Sequence, residues 1–286
     1  MTTAHQQYVR AAVAAAVEVA AAHGVRATEP RVLHDGANVV VHLAPAPLVA
    51  RVATLTRLLR DGVTSFRREV RLAGELAAAG APVVPPPDLV PAGPHVHDGT
   101  VLSFWPYVEI LPEQPTARQV AAAWTELRGF LDDLPTDGAP VDTPLDDLAA
   151  FVARAPEWGV PDDVLAGMAA RLERLRPRLD GEVRRLHGDA HPGNLLVTRS
   201  GPRWADFEDT CSGPVGWDLA ALRSTRRLDG RAALDAVPGA PGDDELRPWL
   251  ELRQLHVAAW YVVIARGHPE WAGEAADRLA AVGTAG

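Results

Sequence analysis

The chain has 286 residues, 47% of them hydrophobic and 23% charged, which suits two globular domains or lobes and excludes a disordered, collagenous or coiled-coil protein. Its 28 basic residues stand against 37 acidic ones, a net charge of −9, a poor match to nucleic acid or an anionic membrane surface. The single cysteine, Cys211, excludes an intramolecular disulfide framework and a Cys-rich zinc site, and fits a reducing cytoplasm.

All 28 basic residues are Arg, and Asn occurs only at Asn38 and Asn194. Chemistry that elsewhere uses lysine therefore falls to arginine here. No uncharged apolar run reaches the roughly 18 residues of a membrane span. The apolar stretch 11–17 is followed by Glu18, so it reads as an Ala-rich first helix rather than a secretion signal.

In chain order, residues 5–23 read as a helix closed by Gly24. Val39-Val40-Val41 and Leu48-Val49-Ala50-Arg51-Val52, separated by Ala44-Pro45-Ala46-Pro47, predict a hairpin. Residues 65–79 follow as an apolar-periodic helix ending at Gly80, and short strands are predicted near 88–90 and 100–104. After Ile110 the texture is helical, with a capping box at Thr116-Ala117-Arg118-Gln119. Helices are predicted over 117–134, 144–154 and 161–178, and again over 216–228, 243–265 and 269–282. Two small strands and a polar loop interrupt them at 185–207. The chain thus divides into an N-terminal α+β lobe over 1–104, a linker at 105–111 and a helical C-terminal lobe over 112–286. Residues 1–112 carry no net charge, whereas 113–180 carry −6 and 181–286 carry −3.

The chemistry concentrates in His187-Gly188-Asp189-Ala190-His191-Pro192-Gly193-Asn194, followed by Asp206-Phe207-Glu208 and Gly216-Trp217-Asp218. A Pro/Gly loop bearing Asp and Asn faces a second Asp after the next two strands, which gathers three oxygen-bearing side chains at one end of a small sheet. Phosphoryl transfer has that need: Mg²⁺ takes oxygen ligands and keeps several waters, and an acceptor hydroxyl needs a group to orient it and take its proton.

This stretch resembles the catalytic loop and metal-binding triplet of the aminoglycoside phosphotransferase family, within the protein-kinase-like fold. The resemblance implies a two-lobed α+β protein with a small antiparallel sheet and a larger helical lobe. It implies Asp189 as catalytic base, Asn194 and Asp206 as Mg²⁺ ligands, and His187 and Asp218 as loop supports. It extends to the first lobe. Gly36-Ala37-Asn38 resembles the family's short nucleotide loop, and Arg51 stands where kinases place a phosphate-binding Lys. Glu69 matches the Glu that pairs with that Lys, and Phe104-Trp105-Pro106-Tyr107-Val108 is similar to the hinge that receives the purine. Trp105, Tyr107 and Val108 are thereby implied as nucleotide contacts. The implied reaction is Mg²⁺-dependent transfer of the γ-phosphoryl group of ATP or GTP to a hydroxyl of a small molecule, an aminoglycoside or other amine-bearing antibiotic. The acidic second lobe suits a cationic acceptor.

Departures and alternatives accompany this reading. Arg for Lys at position 51 changes the head-group geometry, and Gly36 lacks the G-x-G-x-x-G of protein kinases. Only eleven residues separate Asp206 from Asp218, too few for an activation loop and peptide platform, and Gly188 replaces the Arg that reads a phosphorylated loop. Both favour a small acceptor. A kinase for choline, homoserine or a sugar is an alternative, as is a nucleotide-binding relative without transferase activity. His187-x-Asp189-x-His191 would also suit a metal-dependent hydrolase, which leaves Asn194 and Asp206 idle. The acidic pairs Asp132-Asp133, Asp146-Asp147 and Asp162-Asp163 read as helix ends and solvated turns.

Overall fold

The structure is a computed structural model and describes residues 3–283. Helix α1 (Thr3–Ala22) turns off at Gly24, whose φ of +78° suits glycine. Ala12, Ala16 and Ala20, with Ala15 and Val19, form one buried face. That face packs on a five-stranded sheet of β1 (Glu29–Asp35), β2 (Asn38–Ala44), β3 (Leu48–Ala53), β4 (His95–His97) and β5 (Thr100–Pro106). The sheet order is β1-β2-β3-β5-β4, and every neighbouring pair is antiparallel.

Period-two alternation assigns the faces. Val39, Val41 and Leu43 on β2, and Leu48, Ala50 and Val52 on β3, point into the core shared with α1. Val40, Val49 and Arg51 therefore point the other way, into a cleft. A one-residue slip of β3 would bury Arg51 under α1.

Two strands differ from expectation. β1 was not anticipated: it is an edge strand, mostly exposed, with a bulge between Val32 and His34, so it carries no clean alternation. The strand expected near 88–90 does not form. Pro85, Pro86 and Pro87 lack amide donors for a ladder, and pairing with β5 begins instead at His95.

Helix α2 (Gly62–Ala78) connects β3 to this edge, and its N-cap Asp61 accepts the Thr64 amide at 2.9 Å. The buried Leu72, Ala73 and Leu76 of α2 belong to the large hydrophobic core of the helical lobe. After α2, the Val84 amide donates to the Trp204 carbonyl at 2.9 Å, and the Trp204 amide to Pro82 at 2.8 Å. The lobes are therefore joined by shared packing as well as by the linker. The connection expected over 105–111 begins later, because Trp105 and Pro106 belong to β5 and pair with β3. After β5, the Tyr107 amide donates to the Pro47 carbonyl and the Leu111 amide to the Val197 carbonyl, one contact into each lobe.

The helical lobe follows in the expected order: α3 (Ala117–Asp132), α4 (Asp142–Arg154) and α5 (Asp162–Leu175). The Thr116–Gln119 capping box is formed in both directions. Four short strands then make two ribbons, β6 (Arg184–Leu186) with β9 (Cys211–Gly213), and β7 (Leu195–Thr198) with β8 (Gly201–Trp204). β9 was missed, since three small residues carry no periodicity. The helix expected over 216–228 is two, α6 (Gly216–Arg223) and α7 (Gly230–Asp235), the second capped by Asp229. Helices α8 (Asp243–Ala265) and α9 (Ala272–Gly283) complete the described residues. Among these, no helix is long and apolar enough to cross a membrane.

Candidate active site

The loop after β6 is held from beneath. Asp218, wholly buried in the first turn of α6, accepts the His187 amide at 3.0 Å and the Gly188 amide at 2.8 Å. Burial pushes the Asp218 carboxyl up, while the nearby His187 side chain and the Gly188 amide act in the opposite sense. His187 lies between Trp204 and Phe207, with ring centroids 5.2 and 4.6 Å away. Its Nδ1 accepts the Asp189 amide at 3.3 Å. Among the described residues, His187, Asp189 and His191 do not gather into a metal-ligand cluster, which counts against the H-x-D-x-H set considered for a hydrolase.

Gly188 has φ of +90°, and a Cβ on it would collide with the Asp209 carbonyl oxygen. The glycine is therefore required by the close approach of two loops.

Asp189 is the centre of the loop. The Asn194 side-chain amide donates to its carbonyl at 2.9 Å and to Oδ2 at 3.2 Å. His191 Nδ1 accepts the Gly193 amide, so its Nε2–H faces Asp189 Oδ2 at 3.3 Å. Arg253, from α8, donates to Oδ1. Burial pushes the Asp189 carboxyl up, but Arg253 and His191 outweigh it and hold the group well below the usual carboxylate range.

Twelve residues after Asn194, Asp206 has φ of +68°, uncommon for a non-glycine residue. Its carboxylate meets Arg51 at 2.7 Å. Arg51 also pairs with Glu69 and Glu208, each at 2.9 Å, so one guanidinium faces three carboxylates. Burial pushes the Glu69 carboxyl up to about 8 and the Glu208 carboxyl up to about 7, with Arg51 opposing in both.

Two cavities meet at this point. The larger, about 510 Å³, lies between the lobes and is lined by Val40, Val49, Arg51, Glu69, Trp105 at the end of β5, Tyr107 and Val108 just after it, and Asn194, Asp206 and Arg227. The smaller, about 280 Å³, lies against α8. Asp189, His191 and Asp206 line both.

Of the twelve residues singled out in the sequence, Arg51, Glu69, Trp105, Tyr107, Val108, Asp189, Asn194 and Asp206 thus share the larger cavity. His187 and Asp218 lie beneath the loop. Gly36 forms the turn between β1 and β2, its amide donating to the Asn38 carbonyl, and Gly36 and Asn38 are in neither cavity wall. The buried Asn38 amide is fully engaged. It donates to Glu208 at 2.9 and 3.1 Å and accepts from Thr56 at 2.6 Å, which ties the turn to the other lobe.

Several contributors were not visible beforehand. Asp147 is not a solvated helix-end residue. It is buried, takes a two-pronged contact from Arg60 at 2.5 and 2.8 Å, and accepts from His256 at 2.8 Å and Trp260 at 3.1 Å. Arg60 also pairs with Asp209. Arg253, His256, Val257, Trp260 and Ile264 line the smaller cavity from α8. Their helical spacing is legible as one face, but nothing local says that it faces a cavity.

Residues 33–252 match the model of the phosphotransferase enzyme family. Stress response kinase A of Escherichia coli K12 is 36% identical over 76 residues, which cover 27% of this chain and 21% of that protein. The match thus spans about a fifth of that curated relative's length. Among solved structures, an amicoumacin kinase in complex with AMP-PNP, Ca²⁺ and Ami superposes with a TM-score of 0.66 at 12% identity, over 96% of this chain and 95% of that one. The choline kinase LicA of Streptococcus pneumoniae gives 0.59 at 14% identity, over 92% and 96%. These likenesses establish the two-lobed kinase-like fold.

Proposed function

The chain belongs to the phosphotransferase enzyme family, and from that premise we propose that it transfers the γ-phosphoryl group of ATP or GTP to a hydroxyl of an amine-bearing small molecule. The observation that carries this reading is the wall common to the two cavities. Asp189 and Asp206 stand where a nucleotide in the larger cavity and an acceptor in the smaller one would meet.

In this reading residues 1–104 and 112–286 are the two lobes and 105–111 the hinge that receives the purine. Arg51 holds the nucleotide phosphates and Glu69 aligns it. Asp189 orients the acceptor hydroxyl and accepts its proton as the oxygen–phosphorus bond forms and the bond to the leaving nucleoside diphosphate breaks. Keeping the carboxylate ionised, as Arg253 and His191 do, suits that role.

The residues present fit Mg²⁺. The Asn194 amide nitrogen is engaged by Asp189, which leaves its carbonyl oxygen for a cation beside Asp206. Asp206 is half-exposed to the larger cavity, where its carboxylate can serve a cation. Bound there, the cation would neutralise phosphate charge. The remaining work is positioning, done by the buried loop supports His187 and Asp218.

The acceptor class rests on the smaller cavity, whose lining includes Asp189, Asp206, Glu208 and Asp209 against the one arginine, Arg253, and to which the Trp260 and Tyr261 rings add aromatic surface. Such a lining favours an ammonium group. The test is nucleotide consumption with Mg²⁺ and ATP or GTP against aminoglycosides, other amine-bearing antibiotics, choline, homoserine and sugars. Turnover with an amine-bearing acceptor is expected, falling about 10²–10⁴-fold in Asp189→Asn with nucleotide binding kept. Undiminished turnover in Asp189→Asn would sink the assignment.

A further inference from the structure

Away from both cavities, three ligand-type side chains converge from three parts of the chain. His5 comes from α1, Asp35 from the end of β1, and His268 from the segment after α8. His5 Nε2 lies 2.9 and 3.0 Å from the two Asp35 oxygens. His268 Nε2 lies 3.5 Å from Asp35 Oδ1, and the two imidazole centroids are 4.4 Å apart. Both histidines are buried, and the three donor atoms all lie within 4.8 Å of one another.

We propose that His5, Asp35 and His268 bind a divalent transition metal ion of the zinc class. Four-coordinate zinc holds its ligands at about 2.0–2.2 Å, which sets tetrahedral donor–donor distances near 3.4 Å. The His268–Asp35 separation already has that value, and His5–Asp35 needs to open by only about 0.4 Å at the same bond lengths. Two imidazoles and one carboxylate select zinc, cobalt or nickel over magnesium and calcium, which take oxygen. His268 is oriented as metal-bound histidines are: while Nε2 faces the cluster, Nδ1 faces Glu270 Oε1 at 3.5 Å. A cavity of about 240 Å³ adjoins His5, lined also by Thr54, Leu55 and Gly267.

The site would tie the first lobe to the second near the smaller cavity. Asp35 directly precedes the Gly36–Asn38 turn, and Ala37 lines the smaller cavity. A bound ion would pin this turn to α1 and to the helical lobe, on a different connection from the 105–111 linker.

The test uses the full chain, tag removed and stripped with a chelator, titrated with Zn²⁺ by calorimetry and with Co²⁺ by visible absorption. One equivalent of Zn²⁺, a tetrahedral Co²⁺ spectrum, and a Tm rise of roughly 4 °C at hundredfold excess over Kd are expected. Asp35→Asn and His268→Gln, each checked for native circular dichroism, should lose the equivalent, and Asp206→Asn should keep it. No zinc uptake by the wild type would overturn the proposal, as would an equivalent lost in Asp206→Asn but kept in both other variants.

Discussion

Arg253 reaches from α8 to donate to Asp189 Oδ1, sixty-four residues earlier in the chain. Its guanidinium also lies 5.5 Å from the Trp217 ring centroid, so it is held between the loop it contacts and the helix that supports that loop. The proposed base is therefore fixed from α8 as well as from within its own loop.

Arg253→Ala removes the cation that opposes burial at Asp189, so the carboxyl titrates at higher pH. The acid limb of the kcat profile should move upward, with kcat at neutral pH lowered by about 10–100-fold and the nucleotide KM little changed. Arg253→Lys should recover part of the loss. A profile that does not move would make the contact merely structural.

Arg51 forks across Glu69, Asp206 and Glu208, a geometry that a compact ammonium cannot reproduce. Arg51→Lys, although it restores the residue usual in kinases, should raise the nucleotide KM by roughly tenfold. It should also lower Tm, because Glu208 and Glu69 keep their burial with fewer donors. Initial rates against nucleotide concentration, with a parallel melt, separate the two effects.

Asp147 gives a pH signature. Burial pushes its carboxyl up, but Arg60 and His256 outweigh this and hold it far below the usual range. A carboxyl depressed in the folded state stabilises above its unfolded pKa of about 3.9, and that stability drains as pH falls through the folded value. Urea melts should show wild type losing this contribution below about pH 4. Asp147→Asn should be less stable at pH 7 by about 3 kcal/mol and flatter in acid. Parallel pH curves for the two proteins would refute the assignment.

Gly188→Ala should abolish activity and cost at least about 2–3 kcal/mol. The added methyl combines strain at positive φ with a collision against backbone, which cannot rotate away. Circular dichroism should show that the protein still folds; normal turnover would mean that the Gly188–Asp209 approach is not needed.

What the sequence determined by itself was local in origin. The H-G-D-x4-N loop, the D-F-E triplet and the helical texture after Ile110 depend on neighbours along the chain, whereas only the packed sheet turned Arg51 into the cleft. Tertiary structure alone decided the partners. Arg253, Arg60 and Asp147 act across 64, 87 and 109 residues, and nothing in their surroundings in sequence marks these partners. Asn38 shows the same division. Its place in a turn was legible, but its amide is claimed by Glu208, 170 residues later. Burial sets such pairings, because a charge or amide removed from water must find its counterpart wherever the packed lobes bring one within reach.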